Sequence, residues 1–352
     1  MSDNRIPVAI LGATGNVGQR FIQLLENHPW FRVSELVASE RSAGKKYEDA
    51  TVWRLGDDLP EAVRGLTVQS YDADLQSPLA FSSLPSEVAA DIEARLAAQG
   101  TAVVSNTATH RMDADVPLML PELNPDHLDV IKTQQANRGW KGFITTNSNC
   151  STMHLALTLK PLQDAFGLNK VLVTTLQAVA GAGYPGVPSL DMIDNIVPYI
   201  PTEEEKMESE AMKMLGSFVD GSFQNADFVL SAHCNRVPVR DGHTECASVE
   251  LGSSPSVDEV IEAFQSFRGL PQELELPSAP KRPIVVRRED NRPQPAFDRD
   301  TERGMASVVG RVRPCPVLGM KYVLLGHNTV RGAAGAGVLN AELLKEKGLL
   351  NI

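Results

Sequence analysis

The stretch PVAILGATGNVG, from Pro7 to Gly18, sets a short apolar run directly before three glycines spaced three residues apart. The apolar run predicts a buried strand, and the periodicity of residues 19–27 predicts a helix after it. Gly-x-x-Gly-x-x-Gly between a strand and a helix is a variant of the Rossmann turn, whose backbone amides approach a pyrophosphate. We therefore predict a dinucleotide site at this turn. Its candidate residues are Gly12, Thr14, Gly15, Asn16 and Val17.

The residues after this turn continue the pattern of a doubly wound α/β domain. Phe31–Val37 predicts a second strand, which completes a βαβ unit of about thirty residues, the size of a right-handed crossover. Further short strands and one Ala-rich helix are predicted downstream. They are the strands Leu66–Gln69, Leu79–Ser82 and Ala102–Ser105 and the helix Ser86–Ala98. We expect this domain to span residues 1–147.

The second half of the chain predicts a different kind of sheet. Alternate residues from Val171 to Gln177 share one face of a strand, and similar alternation recurs at Val237, Val239 and Ala247–Leu251. Such alternation predicts a sheet with one covered face, more antiparallel than the first. The Pro-rich run 276–295 predicts a long irregular loop.

The C-terminal segment, which is rich in Ala, Gly and Leu from Arg331 to Leu344, predicts a helix that packs back on the first domain. The sequence thus predicts an α/β protein. A Rossmann-type doubly wound domain at 1–147 is joined by a C-terminal helix at 331–352. Residues 148–330 form an α+β domain with a mixed, largely antiparallel sheet.

Composition and charge limit the expected partners. A net charge of −11 disfavours nucleic acid and anionic membrane surfaces. The N-terminus lacks the continuous apolar region of a signal peptide, and no stretch approaches the ~20 apolar residues of a membrane span. The four cysteines lack the spacing of a disulfide framework or a zinc site. These features predict a cytoplasmic protein without a metal centre.

The end of the second predicted strand bears on the choice of cofactor. An acidic residue there would accept hydrogen bonds from a ribose 2'-hydroxyl, whereas residues 38–46 read Ala-Ser-Glu-Arg-Ser-Ala-Gly-Lys-Lys. Ser39, Arg41, Ser42 and the two lysines suit a 2'-phosphate, and only Glu40 is discordant. This favours NADP, and the alternative is a solvated charged loop.

Cys150 is the candidate nucleophile. The segment 146–152, Thr-Asn-Ser-Asn-Cys-Ser-Thr, supplies Asn and Ser as caps before a helix through Phe166. Cys150 then lies in the first helical turn, where amide dipoles would lower the pKa of the thiol. A cysteine without such a context is usually a small buried hydrophobe.

His243 is the candidate partner of that thiol. It lies in the turn Arg-Asp-Gly-His between two alternating strands, where glycine allows a side chain to project into a cleft. His233 and His327 remain weaker candidates. The other four histidines are expected to be structural and to lie on helical or loop surfaces. They are His28, His110, His127 and His154.

Several strings in order resemble the aspartate-semialdehyde dehydrogenase family, particularly its archaeal and fungal branch. The resemblance runs nearly the full length of the chain. It is carried by GATGNVG at 12, SAGKKY at 42, SNCST at 148, QA at 177, GAGYPGV at 181, EEEKM at 203, RVPVRDGHT at 236, RPQPAFDRD at 292 and NTVRGAAG at 328.

The resemblance implies a role for individual residues. It makes Cys150 the nucleophile, His243 the acid/base and Gln177 the residue that orients the acyl group. It places the following residues around the substrate: Arg236 at the α-carboxylate, Glu203 at the ammonium group, and Lys206, Arg111 and Asn106 around the phosphate end. On the cofactor it implies contacts from Ser82, Ser83, Gly183 and Asn328. Without the resemblance, residues 203–206 could be an exposed helix start and Arg236 a surface ion pair.

The implied reaction is the NADPH-dependent reduction of β-aspartyl phosphate to aspartate semialdehyde through a thioacyl enzyme, with release of phosphate. His243 would move the proton needed at each step. The reaction belongs to the biosynthesis of lysine, threonine and methionine. The resemblance further implies a homodimer or homotetramer assembled through the second sheet.

Two other hypotheses about function remain open from the sequence alone. A malonyl-CoA or succinyl-CoA reductase would share the scaffold and the thioester, although Glu203 suits an amino-acid substrate better; N-acetyl-glutamyl-phosphate reductase is a more distant relative. A non-catalytic NADP-binding sensor would keep the glycine turn but has no need of Cys150, Gln177, Arg236 and His243.

Overall fold

The computed structural model describes residues 4–350. Within this range the chain forms a seven-stranded sheet, a six-stranded sheet and a two-stranded ribbon. The strands are β1 (Ile6–Leu11), β2 (Phe31–Val37), β3 (Val68–Gln69), β4 (Leu79–Ser82), β5 (Ala102–Ser105), β6 (Leu118–Met119), β7 (Phe143–Asn147), β8 (Leu168–Gln177), β9 (Ser217–Val219), β10 (Ser222–Gln224), β11 (Val229–Arg236), β12 (His243–Leu251), β13 (Ile284–Val286), β14 (Ser307–Cys315) and β15 (Gly319–Gly326).

The helices vary from single turns to the 17-residue helix that follows the first sheet. They are α1 (Asn16–Leu25), α2 (Tyr47–Ala50), α3 (Glu61–Arg64), α4 (Ser86–Gln99), α5 (Val130–Arg138), α6 (Cys150–Phe166), α7 (Ser189–Met192), α8 (Glu203–Met214), α9 (Val257–Ser266), α10 (Leu270–Glu273), α11 (Pro295–Asp298) and α12 (Gly335–Glu346).

The first sheet is parallel throughout and has the order β3-β2-β1-β4-β5-β7-β6. Its apolar strands are covered on both faces, by α1 and α12 on one side and by α4 on the other. The strand order reverses between β1 and β4, so a crevice opens at the carboxyl ends of these two strands. Ligands of doubly wound sheets bind at such a point. The predicted doubly wound fold is confirmed.

The second sheet has the order β11-β8-β12-β15-β14-β13, with parallel pairs only at its two ends. One face packs on α6, whose buried Leu155 and Leu159 belong to the same core as Val171 and Val173 of β8. The other face is more open to solvent: Leu172 of β8 is 48% exposed. The predicted mixed, largely antiparallel sheet with one covered face is confirmed.

Two local predictions about the second sheet are wrong. The Pro-rich run contains β13, a short strand of β-branched residues at the sheet edge; Pro283 stands just before it, where a missing amide costs no ladder bond. The alternation at Val237 and Val239 is not strand, because β11 ends at Arg236. Pro238 cannot donate, and the Val239 amide bonds back to the Val237 carbonyl in a tight turn.

The C-terminal segment begins with a π-helical turn, Val330–Ala334, and continues as α12, which contacts α1 and β5. The helix ends at Glu346 and not at the chain terminus, because a turn with glycine at position 348 closes it. Residues 1–3 and 351–352 of the expected domain spans lie outside the described residues.

Candidate active site

A cleft of about 780 Å³ lies between the carboxyl edge of the first sheet and the covered face of the second. It brings together most of the residues singled out from sequence. Those that line it are Gly15, Asn16, Val17, Ser83, Asn106, Arg111, Cys150, Gln177, Gly183, Glu203, Lys206, Arg236 and Asn328. Residues more than 300 positions apart thus meet in one cavity.

Strand register places three predicted residues side by side. Arg236 of β11 is opposite Gln177 of β8, and the β8–β12 ladder continues from Leu176 to Thr244, next to His243. Because side chains alternate across a strand, Arg236, Gln177 and His243 project from the same covered face, towards α6. All three are buried. The strand order and register of the second sheet therefore bring these three residues together in the candidate active site.

Cys150 is the first residue of α6, as the caps in the sequence predict. The side chain of Asn149 accepts hydrogen bonds from the amides of Ser151 and Thr152, which fixes the start of the helix. Cys150 Sγ lies 3.2 Å from His243 Nε2. The position of Cys150 at the start of α6 thus places its sulfur next to the imidazole of His243.

The expected low pKa of this thiol is wrong. Burial raises the pKa of Cys150 to about 12, and the Glu203 carboxylate adds to the rise. Arg236, Arg111 and the Ser151 amide act in the opposite direction but are outweighed. The dipole argument holds at the helix start, yet desolvation of a thiolate in this cleft is the larger effect.

His243 is fully buried and is held by the backbone as well as by the thiol. The Ala178 amide donates to Nδ1 over 3.0 Å. Burial lowers the pKa of His243 well below its usual range, and Arg236, His154 and His327 lower it further. The ring is therefore neutral at physiological pH.

Two charged groups flank Gln177 in the cleft. Gln177 Nε2 donates to Glu203 Oε1 over 2.8 Å, which turns the carboxylate towards the centre of the site. Arg236 Nη1 donates to the Ala178 carbonyl over 2.9 Å, so the guanidinium is anchored at one corner and its remaining donors are available to a ligand. The cleft thus offers an anion at the start of α8 and a cation at the end of β11.

Arg111 is held by a residue that sequence reasoning missed. Its Nη1 lies 2.9 Å from Glu210 Oε1, and the second oxygen of Glu210 accepts the Asn149 amide over 2.6 Å. Lys213, one turn later on α8, donates to three carbonyls of the loop that carries Arg111, each over 2.8 Å. The available signal was helical spacing, since positions 203, 206, 210 and 213 recur every three or four residues.

The glycine turn fits the pyrophosphate of a dinucleotide. Gly12 has a φ of +78°, and a Cβ there would lie 2.6 Å from the Ser83 carbonyl oxygen; a Cβ at Gly18 would lie 2.3 Å from the Gly12 oxygen. The turn is also fixed by a 2.7 Å hydrogen bond that the Tyr47 hydroxyl donates to the Ala13 carbonyl. The compact turn leaves the start of α1, with the unpartnered Asn16 Oδ1, facing the cleft.

Four predicted cofactor residues outside the glycine turn do not line the cleft. Ser39, Arg41 and Ser42 form a turn beyond β2, with Arg41 exposed. The Ser82 hydroxyl points away, into the domain, and donates to Glu93 Oε1 over 2.6 Å. Asn328 faces the cleft with an unpartnered Nδ2, while its Oδ1 accepts the Gly242 amide.

The four histidines expected on surfaces are buried instead, because each ring has a polar partner in the interior. The partners are Glu342 for His28, Asp113 for His110, Asn124 for His127 and Ser307 for His154. Among the described residues, no group of three or more His, Cys, Asp or Glu side chains is placed to hold a metal ion. No helix within residues 4–350 is both long enough and apolar enough to cross a membrane.

The paired sheets define the class of protein, a semialdehyde dehydrogenase with a dinucleotide-binding half. Residues 7–131 match the family model "Semialdehyde dehydrogenase, NAD binding domain", and residues 159–331 match "Semialdehyde dehydrogenase, dimerisation domain". The chain belongs to the aspartate-semialdehyde dehydrogenase family. It is 52% identical to the aspartate-semialdehyde dehydrogenase of Methanothermobacter thermautotrophicus over 97% of this chain and 99% of that protein.

Two solved structures extend the comparison. The aspartate-semialdehyde dehydrogenase of Candida albicans with NADP has a TM-score of 0.90 and 44% identity, over 98% of this chain and 99% of that one. The aspartate-semialdehyde dehydrogenase II of Vibrio cholerae complexed with ASA has a TM-score of 0.77 and 28% identity, over 97% and 98% of the two chains. With archaeal and fungal relatives among the matches, the family predicted from sequence is confirmed.

Proposed function

We propose that this member of the family reduces β-aspartyl phosphate to aspartate semialdehyde with NADPH, through a thioester on Cys150. The observation that carries the proposal is one cleft in which a thiol, an imidazole, an anchored arginine and a buried carboxylate converge. A thiol is a suitable nucleophile because the thioester it forms accepts hydride far more readily than a carboxylate does.

The charges of the cleft support an amino-acid substrate. Arg236 binds the α-carboxylate, since a planar guanidinium can contact both oxygens, and Glu203 binds the ammonium group. Arg111 and Lys206, with Asn106 beside them, bind the phosphate. A malonyl or succinyl thioester carries no ammonium group and would leave Glu203 without a cation in a buried site, so the CoA reductase is the weaker candidate.

The cofactor proposal rests on the fit of the glycine turn and on the likeness to the NADP-bound Candida structure. Gly12, Thr14, Gly15, Asn16 and Val17 hold the pyrophosphate. Bound NADPH supplies the hydride that reduces the thioester.

Residues outside the turn hold the two ends of the cofactor. Ser39, Arg41 and Ser42, with the exposed Lys45 and Lys46, surround the 2'-phosphate. At the nicotinamide end we assign Ser82, Ser83, Gly183 and Asn328. Ser82 shapes this end indirectly, since it is fully buried and its hydroxyl is engaged by Glu93.

A homo-oligomer is consistent with the match to a dimerisation domain, and we propose a cytoplasmic homodimer or homotetramer assembled through the open face of the second sheet. In this assignment residues 1–147, with the C-terminal segment 331–352, bind the cofactor, and residues 148–330 provide catalysis and the interface. The product feeds lysine, threonine and methionine biosynthesis.

The test is phosphate-dependent reduction of NADP by the purified protein with aspartate semialdehyde, beside NADPH oxidation with malonyl-CoA. We expect activity with the semialdehyde that is lost in Cys150→Ala. Activity with malonyl-CoA alone would keep the scaffold and overturn the substrate. NADP binding with no turnover of either compound would point to a sensor.

A further inference from the structure

A buried carboxyl group, that of Glu93 on α4, binds hydroxyl groups from two neighbouring strands of the first sheet. Ser82 at the end of β4 donates to Glu93 Oε1 over 2.6 Å, and Ser105 at the end of β5 donates to the same oxygen over 2.8 Å. The Thr107 hydroxyl lies 2.9 Å from that of Ser105 and 3.5 Å from Glu93 Oε1. All four side chains are buried. One oxygen atom thus connects the carboxyl ends of two strands.

The residues that Glu93 binds alternate along the chain with residues of the cleft. Ser82 and Ser105 are opposite each other in the β4–β5 ladder. The residues that follow them, Ser83 and Asn106, line the cleft. Because successive side chains of an extended chain point in opposite directions, a group that holds Ser82 and Ser105 from behind directs Ser83 and Asn106 towards the cleft. The Asn106 amide donates to the Ser82 carbonyl over 2.8 Å, which joins the two strand ends directly.

Asn106 also supports the proposed phosphate contacts. Its carbonyl accepts a hydrogen bond from Arg111 Nη2 over 3.1 Å, so a shift of Asn106 would move the Arg111 guanidinium. Ser83 lies at the edge assigned above to the nicotinamide. Glu93 thus stands behind both edges, although it does not line the cleft itself.

The protonation state of Glu93 does not change this arrangement. Burial raises the pKa of its carboxyl group, and the three hydroxyl groups and His110 oppose the rise without cancelling it. Oε2 is buried and has no hydrogen-bond partner among residues 4–350. A proton on the carboxyl group would be on Oε2, because Oε1 already faces donors, and Oε1 would remain an acceptor.

We propose, as a refinement that rests on the function proposed above, that Glu93 is a positioning residue that fixes the cofactor edge and the phosphate edge of the cleft relative to each other. It acts through the Ser82 hydroxyl on the cofactor edge and through the Ser105 hydroxyl on the phosphate edge. Without this acceptor, both buried hydroxyl groups would lose their partner, and the two strand ends would rearrange to find others.

The test compares substitutions at Glu93 by steady-state kinetics of semialdehyde oxidation. Glu93→Met has a similar length but no acceptor, so we expect KM for NADP and KM for phosphate each to rise roughly tenfold. KM for aspartate semialdehyde should change much less, because Arg236 and Glu203 lie outside the first sheet. Glu93→Gln keeps an oxygen acceptor and should recover most of both losses. Glu87→Met, at an exposed position of the same helix, is the matched control and should leave all three constants unchanged.

A purely structural role predicts a different pattern. A partly unfolded E93M protein would show a lower kcat with unchanged KM values, because the molecules that remain folded would bind normally. That result would overturn the proposal. A rise in KM for only one of the two ligands, or an E93Q protein as impaired as E93M, would do the same.

Two hydroxyl deletions do not depend on the folding of E93M. Ser82→Ala should raise KM for NADP severalfold and Ser105→Ala should raise KM for phosphate severalfold, each without the other effect, since each removes one of the two connections. Unchanged constants, or the same change in both variants, would overturn the proposal. Failure of the proposed function is a separate outcome, because the wild-type protein would then show no phosphate-dependent reduction of NADP.

Discussion

The Arg236 guanidinium is held by one hydrogen bond and still has donors left to bind a ligand. One corner of its guanidinium donates to the Ala178 carbonyl, while the remaining donors face the cleft. Lysine has a single ammonium group, which cannot keep the anchor and also grip both oxygens of a carboxylate.

We therefore expect Arg236→Lys to lower kcat/KM for aspartate semialdehyde about a hundredfold, the equivalent of roughly 3 kcal/mol, chiefly through KM. Steady-state kinetics of R236K beside Arg240→Lys provide the comparison. Arg240 is four residues further along, and its side chain is 75% exposed, so R240K should retain wild-type kinetics. Wild-type KM in R236K would refute a carboxylate contact.

Local signals in the sequence single out Cys150 and His243, whereas the substrate-binding candidates were implied by the resemblance to the family. Cys150 is marked by the caps before its helix and His243 by a turn between strands. The reversal of the expected thiol pKa was out of reach, because it depends on burial and on Glu203, which arrives from a separate helix. Glu210 escaped notice for the same reason: its two partners, Arg111 and the Asn149 amide, are distant in sequence.

At the scale of elements, α8 is the helix that organises the substrate end of the cleft. Glu210 bridges Arg111 and the amide that precedes the nucleophile, so one carboxylate fixes the spacing between the anion-binding guanidinium and the sulfur. A glutamine at this position can accept through only one oxygen, and its NH2 group would face a donor.

We expect Glu210→Gln to raise KM for phosphate roughly tenfold, as loss of one hydrogen bond to a charged group would, while KM for the semialdehyde changes much less. Glu205→Gln on the exposed face of the same helix is the matched control and should leave both constants unchanged. An equal rise in both constants for E210Q, or none, would show that the bridge does not position Arg111.

The two errors about strands have different causes. Residues 284–286 become β13 only because β14 supplies a partner, and residues 237–239 leave the sheet because Pro238 interrupts the ladder despite an apolar alternation. Long periodic elements such as β2 and α6, by contrast, begin and end where their residues predict.

At the scale of the whole molecule, buried histidines couple stability to pH. Burial lowers the pKa of His154 to about 3 and that of His127 and His327 to about 4, and the pKa of His243 lies well below its usual range. The unfolded chain binds protons at these rings near pH 6.5, whereas the folded protein does not. The stability that these rings contribute is therefore fully present above pH 6.5 and is lost as the pH drops towards 4.

We expect the free energy of unfolding, measured by urea titration, to fall steeply between pH 7 and about 4.5, by up to roughly 1.4 kcal/mol per pH unit for each such ring. His154→Gln removes one of these rings while keeping a polar group for Ser307, so its stability profile should lose about one proton of slope. A profile flat to pH 5, or an unchanged slope in H154Q, would mean that these rings are not neutral in the folded protein.

In the proposed reaction the two halves of the molecule meet around an acyl thioester on Cys150. This intermediate can be trapped by mixing the purified protein with β-aspartyl phosphate in the absence of cofactor, quenching in acid and mapping the adduct by mass spectrometry. We predict one aspartyl group, located on the peptide that contains Cys150 and absent from Cys150→Ala. Turnover without an adduct at this residue, or an active C150A protein, would show that Cys150 is not the nucleophile.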